Sequence, residues 1–158
     1  MVLRGTSKRF NAMGLAAFIA ARFSPSLNWP CRLTASSGHK IAPAEIGRRG
    51  ERIAKAWLRS QGAKILYRNF KAPRGGEVDI VAREGKLLVF AEVKTRRAGG
   101  MGRPLDAVDR DKQRLIERGA NEWLRLLGTR DVPWRFDVIE VILTDGEKPL
   151  VHRVENAF

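Results

Sequence analysis

Residues 75–97, GGEVDIVAREGKLLVFAEVKTRR, constrain the fold more than any other part of this chain. Glu77–Arg83 and Lys86–Lys94 are rich in Val, Ile, Leu and Phe and read as two β-strands. Glu84-Gly85 between them supplies a two-residue hairpin turn. If Arg83 pairs with Lys86, Asp79 faces Phe90 and Glu77 faces Glu92. Alternation then puts Glu77, Asp79, Glu92 and Lys94 on one face. Asp79 and Glu92 become diagonal neighbours about 7–8 Å apart at the backbone, so both carboxylates can reach one divalent cation. Without such a cation the arrangement is costly. Like charges opposed across strands are destabilising, and Ile80, Val89, Phe90 and Val93 make the surroundings partly apolar. Mg²⁺ or Mn²⁺, both takers of carboxylate oxygen, would offset the repulsion. The Lys94 ammonium suits a phosphate or an attacking water. The alternative is a solvated face of mixed charge on which Lys94 only neutralises Glu92.

The flanking sequence supplies a sheet and helices for this hairpin. Ile46, Gly50, Ile53, Ala54, Trp57 and Leu58 recur at helical spacing, and Gly62 stops the helix. Strands are predicted at Ala63–Phe70, Arg135–Leu143 and Leu150–Val154 in addition to the two of the hairpin. A Gly-rich loop, AGGMGRP, leads into an amphipathic helix over about Asp109–Leu127, burying Leu115, Ile116, Trp123, Leu124 and Leu127. The order αβββαββ predicts an α/β domain, a mixed central sheet flanked by helices, over residues 45–158.

Charge bears on the partner. The chain of 158 residues carries a formal net charge of +13. Residues 1–44 hold six Lys/Arg and no acid, while every Asp and Glu lies at or after Glu45. That leader is read as a basic extension outside the fold, disordered, a targeting segment, or the product of a start codon set too far upstream. Its apolar patch, Ala12–Ala21, runs into Arg22 with no clear cleavage site, so the expected location is cytoplasmic. No apolar run reaches the length of a membrane span. The single Cys31 excludes an intramolecular disulfide framework and a multi-Cys zinc ribbon, and His39 and His152 form no metal motif. The strongly basic remainder points to a polyanion, with nucleic acid ahead of a membrane surface. Arg68, Lys71 and Arg74 precede the acidic strands, Arg96, Arg97 and Arg103 follow them, and Lys112 opens the second helix. These read as contacts to a phosphate backbone, since no helix-turn-helix or zinc finger is present to read bases. Trp57, Trp123 and Trp134 read as packing residues, and Trp29 has no assigned role.

Asp79, twelve intervening residues and then Glu92-Val93-Lys94 resemble the D…ExK signature of restriction-endonuclease-like nucleases. GxxGE at Gly47–Glu51, RNF at Arg68–Phe70, GEVDI at Gly76–Ile80, FAEVKTR at Phe90–Arg96 and RFDVI at Arg135–Ile139 resemble the uncharacterised bacterial YraN-like family. That family is similar to archaeal Holliday-junction resolvases. The resemblance spans about residues 45–155 and implies a restriction-endonuclease-like fold. It implies Asp79 and Glu92 as metal-binding acids for Mg²⁺ or Mn²⁺, with the Val93 backbone carbonyl as a further ligand and Lys94 as the catalytic lysine. Glu51 matches an acid held beside the metal, directly or through water. From the residues alone, Glu51 is also readable as a solvated helical glutamate. Val78 stands where the wider superfamily often has Pro, a position that is not a ligand. Glu77 either supports the metal-binding carboxylates from behind or caps the strand entrance.

Two functions follow. The first is a metal-dependent endonuclease hydrolysing phosphodiester bonds in DNA, branched or structured substrates included, with Arg68, Arg74, Arg96, Arg97 and Lys112 on the nucleic acid. DNA is expected ahead of RNA, and the likeness to resolvases implies a homodimer, although no dimer interface is legible. The second is a non-catalytic nucleic-acid-binding module on a nuclease fold. A membrane-surface protein acting through residues 1–44 is a third reading.

Overall fold

A computed structural model describes residues 24–99, 108–129 and 131–158. Part of the expected Gly-rich loop and Arg103 lie outside the described residues. Helix α1 (Pro25–Asn28) precedes α2 (Pro43–Ser60) and the strands β1 (Lys64–Lys71), β2 (Glu77–Glu84) and β3 (Leu87–Arg97). Helix α3 (Arg110–Leu126), β4 (Trp134–Leu143) and β5 (Leu150–Val154) complete the order. The fold is α/β, with the predicted αβββαββ order preceded by one short helix, and it is consistent with the restriction-endonuclease-like architecture expected above.

The five strands pair in chain order. Only β3 and β4 run parallel, and every other neighbouring pair is antiparallel. A parallel pair needs a long crossover, and α3 lies within the one between β3 and β4. The sheet is therefore covered on both faces. On one, Ile46, Ile53, Ala54 and Leu58 of α2 pack on Ile80, Ala82, Val89, Ala91, Ile139 and Val141. On the other, Ile116, Ala120 and Leu124 of α3 pack on Val81, Leu88, Phe90, Phe136 and Val138. Burying an aliphatic or Phe side chain contributes about 1.5–3 kcal/mol, so these layers hold the sheet rigid beneath the site.

Several local expectations need correction. The hairpin turn is Gly85-Lys86, with Glu84 opposite Leu87, and not Glu84-Gly85. Gly85 has φ 61°, which suits the first position of a type II′ turn, where glycine has no Cβ to clash. Leu127 is exposed and Leu115 only half-buried, because the apolar stripe of α3 centres on Ile116, Ala120 and Leu124. Trp134 contacts Phe90 and Phe136 edge-on yet stays largely exposed. Residues 24–42, part of the leader set apart above, lie against the body. Leu33 is buried in the α2 core, Cys31 N–H donates to the Glu147 carbonyl at 2.7 Å, and Thr34 bridges Lys40.

Candidate functional site

The β2–β3 ladder runs from Glu84–Leu87 to Ile80–Ala91. The turn lies one residue later than expected, which moves the register by two and leaves the parity of the paired rungs unchanged. Just beyond the last pair, Asp79 Oδ2 accepts the Val93 N–H at 2.8 Å.

Glu92 is almost completely buried, at 3% exposure. Its Oε1 lies 3.0 Å from Lys94 Nζ and 3.4 Å from Lys112 Nζ. Lys112 also donates to Glu77 Oε1. The other oxygen, Glu92 Oε2, is buried without a hydrogen-bond partner among the described residues. A buried carboxylate oxygen left unpaired is costly. Burial, reinforced by the charge of Glu92 and less strongly by Glu51, raises the Asp79 carboxyl to a pKa of about 7. The Val93 N–H and the Lys112 ammonium oppose that rise without cancelling it. The hydrogen bond from Lys112 holds Glu77 below its ordinary value. Burial works against the Lys112 ammonium, but Glu77, Glu92 and Asp79 together keep its pKa above the usual lysine value.

Two close approaches bring the helices to this spot. A Cβ on Gly50 would stand 1.7 Å from Thr95 Oγ1, so only glycine lets α2 lie on β3 and carry the next residue, Glu51, to the site. A Cβ on Gly76, at φ 121°, would meet the Gly119 backbone N at 2.6 Å, so the glycine pair seats α3 against the start of β2. The Asp109 side chain accepts the Lys112 N–H at 2.8 Å and caps α3. That fixes Lys112 in the first turn, within reach of Glu77 and Glu92. Glu51 and Lys112 thus reach the site on helices that cover opposite faces of the sheet. A cleft of ≈ 420 Å³ lined by Glu51, Asp79, Arg52, Lys55, Arg68 and Asn69 opens beside Asp79.

Among the described residues no three His, Cys, Asp or Glu side chains converge as a ready-made metal centre. The donor set is a pair, Asp79 and Glu92, with Glu51 lining the same cleft. A pair fits Mg²⁺, which is commonly held by one or two carboxylates and keeps water or phosphate oxygen elsewhere. The unpartnered Glu92 Oε2 and the Asp79 carboxyl, hard to ionise beside it, are what such a cation would satisfy.

Residues 50–141 match the model of the uncharacterised protein family UPF0102. The chain belongs to that family. This is the YraN-like family to which the motifs pointed, and the matched span of the UPF0102 model contains Glu51, Asp79, Glu92, Lys94 and Lys112. The chain is 50% identical over 113 residues to a UPF0102 protein of Geobacter sulfurreducens, covering 72% of this chain and 88% of the relative. It is 44% identical over 120 residues to one of Rhodococcus jostii, covering 76% and 98%. Both names describe UPF0102 proteins and assign no activity.

The basic residues predicted as phosphate contacts divide in this UPF0102 member. Arg68 lines the cleft with Asp79. Arg74 is exposed on the β1–β2 connection. Lys112 sits among the acids. Arg96 donates to the buried Glu140 at 2.6 Å, and Arg97 donates to the Ile41 carbonyl at 2.7 Å. Those two arginines therefore also hold the fold. Glu140 was missed by sequence reasoning. It stands level with Lys94 on β4, and its signal was a single acid on the otherwise apolar Phe136–Val138 face of that strand. Arg52 and Lys55 were missed too, and the signal was a recurring basic position on an amphipathic helix.

Proposed function

We propose that this UPF0102 protein is a metal-dependent endonuclease acting on phosphodiester bonds in DNA, branched or structured DNA included. The observation that carries the reading is the under-compensated acid pair. Asp79 and Glu92 lie on neighbouring strands, one with its carboxyl hard to ionise and the other with a buried oxygen that has no hydrogen-bond partner among the described residues. Asp79 lines a cleft together with Arg52, Lys55 and Arg68. Mg²⁺ or Mn²⁺ would be held by Asp79 and Glu92, with the Val93 carbonyl and Glu51, directly or through water, completing the set. Bound there, the cation supplies Lewis-acid charge at a phosphoryl oxygen. Lys94, 3.0 Å from Glu92, would stabilise the negative charge that develops on the phosphate. Lys112 keeps Glu77 and Glu92 in place from α3, and Arg68 positions the backbone. A homodimer is the assembly that cutting two strands symmetrically requires.

One observation favours a second reading, a non-catalytic nucleic-acid-binding module. Lys94 and Lys112 already neutralise part of the Glu92 charge, and the described residues hold no ready-made three-acid centre. A cleavage panel separates the two. Duplex, single-stranded, flap and four-way DNA, with RNA alongside, are incubated with the protein in Mg²⁺ or Mn²⁺. Cleavage by the parent that is lost in Glu92→Gln and Asp79→Asn supports the nuclease. Binding that persists in EDTA with no product from any substrate supports the module.

A further inference from the structure

Helix α2 carries a row of cations that extends beyond the acid site. Arg48, Arg52, Lys55 and Arg59 follow one another at spacings of four, three and four residues, which keeps them on one side of the helix. Two clefts open onto this row and share Arg52 and Lys55. The first is the cleft that holds Glu51 and Asp79. The second, ≈ 620 Å³, lies between α1 and α2 and is lined by Trp29, Arg32 and Arg59. A continuous basic surface therefore runs from an acid cluster at one end to an indole at the other.

The row is crowded with like charge. Glu45 serves its first members, lying 2.9 Å from Arg48 and 3.4 Å from Arg52. Lys55, Arg59 and Arg68 have no carboxylate within ion-pair distance among the described residues. Burial, with the charges of Arg68, Arg59 and Arg52, pushes the Lys55 ammonium below its ordinary pKa. Trp29 is 69% exposed, a large aromatic face turned to solvent beside this row.

We infer that this side of α2 is a track for a single strand of nucleic acid, with phosphates along Arg52, Lys55 and Arg59 and a base stacked on Trp29. Cationic grooves with exposed aromatics suit single strands, because an unpaired base can offer its face to a ring while a paired one stays stacked inside the duplex. From Arg48 to Arg59 the row spans about 16 Å at the helical rise, enough for about five nucleotides at ~3.4 Å each. The track rests on the nuclease reading for its destination, the cleft of Asp79, but not for its capacity to bind. It implies substrates with an unpaired arm next to the scissile bond.

The test is fluorescence anisotropy of a fluorescein-labelled oligothymidylate with the full chain in EDTA, so the absence of cleavage leaves it readable. The double variant Arg52→Glu/Lys55→Glu should weaken binding at least about tenfold and flatten its salt dependence, by about 0.7 in log–log slope per lost contact. Trp29→Ala should weaken it between about five- and one-hundred-fold. Arg114→Glu, a charge reversal on the exposed surface of α3, should bind as the parent does, and circular dichroism should show every variant folded. Unchanged oligothymidylate affinity in the double variant overturns the track. So does indifference to Trp29→Ala, which would leave phosphate contact without stacking. Loss of binding to phosphatidylglycerol vesicles in the double variant, with oligonucleotide affinity intact, would assign the row to a lipid surface instead.

Discussion

Two groups of carboxylates are buried in the same sheet, and they are treated in opposite ways. At the β4–β5 end, Asp137 is fully buried and both its oxygens are engaged. Oδ1 accepts the Asn156 N–H at 3.0 Å and lies 3.0 Å from Arg135 Nε, while Oδ2 accepts Arg153 Nε at 2.7 Å. Arg153 continues to Glu84 at 2.7 Å and ties β5 to the β2–β3 hairpin. At Asp79 and Glu92 two acids instead lie close enough for one to raise the other's pKa, and one oxygen has no hydrogen-bond partner among the described residues. Burying a carboxylate is tolerable when both its oxygens are engaged and becomes a liability when one is not. The first group closes the fold. The second leaves an electrostatic debt that a ligand can settle.

Breaking each group should therefore give opposite signatures. The largest effect falls on the closed network. Asp137→Ala strands two arginines in a buried place and should cost about 3–5 kcal/mol, read as a shift in the urea midpoint, with activity lost only as far as the protein unfolds. Next, Glu92→Gln should lower the cleavage rate by about 10²–10³-fold while its urea midpoint stays near the parent's. A midpoint that collapses with Glu92→Gln would erase the contrast. Gly50→Ala forces α2 away from Thr95 and should destabilise by about 1–3 kcal/mol, the range of overpacked contacts, with cleavage falling further than stability because Glu51 moves with the helix.

The smallest and most discriminating effect is in the pH dependence. Asp79 has a folded pKa of about 7 against an ordinary 3.8. Between those values the unfolded chain has released the proton that the folded one retains, so metal-free stability falls as pH rises from about 4 to about 7 and is level above. Asp79→Asn removes this slope and, at pH 8 without metal, should raise stability on the order of 1–2 kcal/mol. Mg²⁺ or Mn²⁺ should raise the Tm of the parent more at pH 8 than at pH 6, because a proton competes for the same carboxylate. Asp79→Asn should respond far less. The same scans on Asp137→Asn should show no metal response.

Much of this contrast could be read before any coordinates, and the reasons are physical. Strand parity put Glu77, Glu92 and Lys94 on one face, where Lys112 meets both glutamates, even though the turn was put one residue too early, since an error of two in register leaves parity untouched. Which residue stands level with which was not legible, because Glu84-Gly85 and Gly85-Lys86 both offer glycine to a tight turn. Glu51 on α2 followed from motif likeness alone, because nothing in a helical pattern tells one solvated glutamate from one aimed at another layer. Arg96 was assigned to phosphate because its partner Glu140 lies 44 residues away on a parallel strand, a pairing no local pattern reports. The track on α2 was hidden for a different reason. Its aromatic end, Trp29, belongs to a leader that composition alone set aside.

The bond from Asp79 to the Val93 N–H has a further consequence. It places the acid proposed to hold a cation just past the last rung of the β2–β3 ladder, so the residue that would greet a ligand also guards one backbone amide against solvent. Any change at Asp79, whether protonation, cation capture or substitution, alters how long that amide stays closed. The deuterium exchange of Val93 is thus a built-in gauge of the site, needing neither substrate nor label.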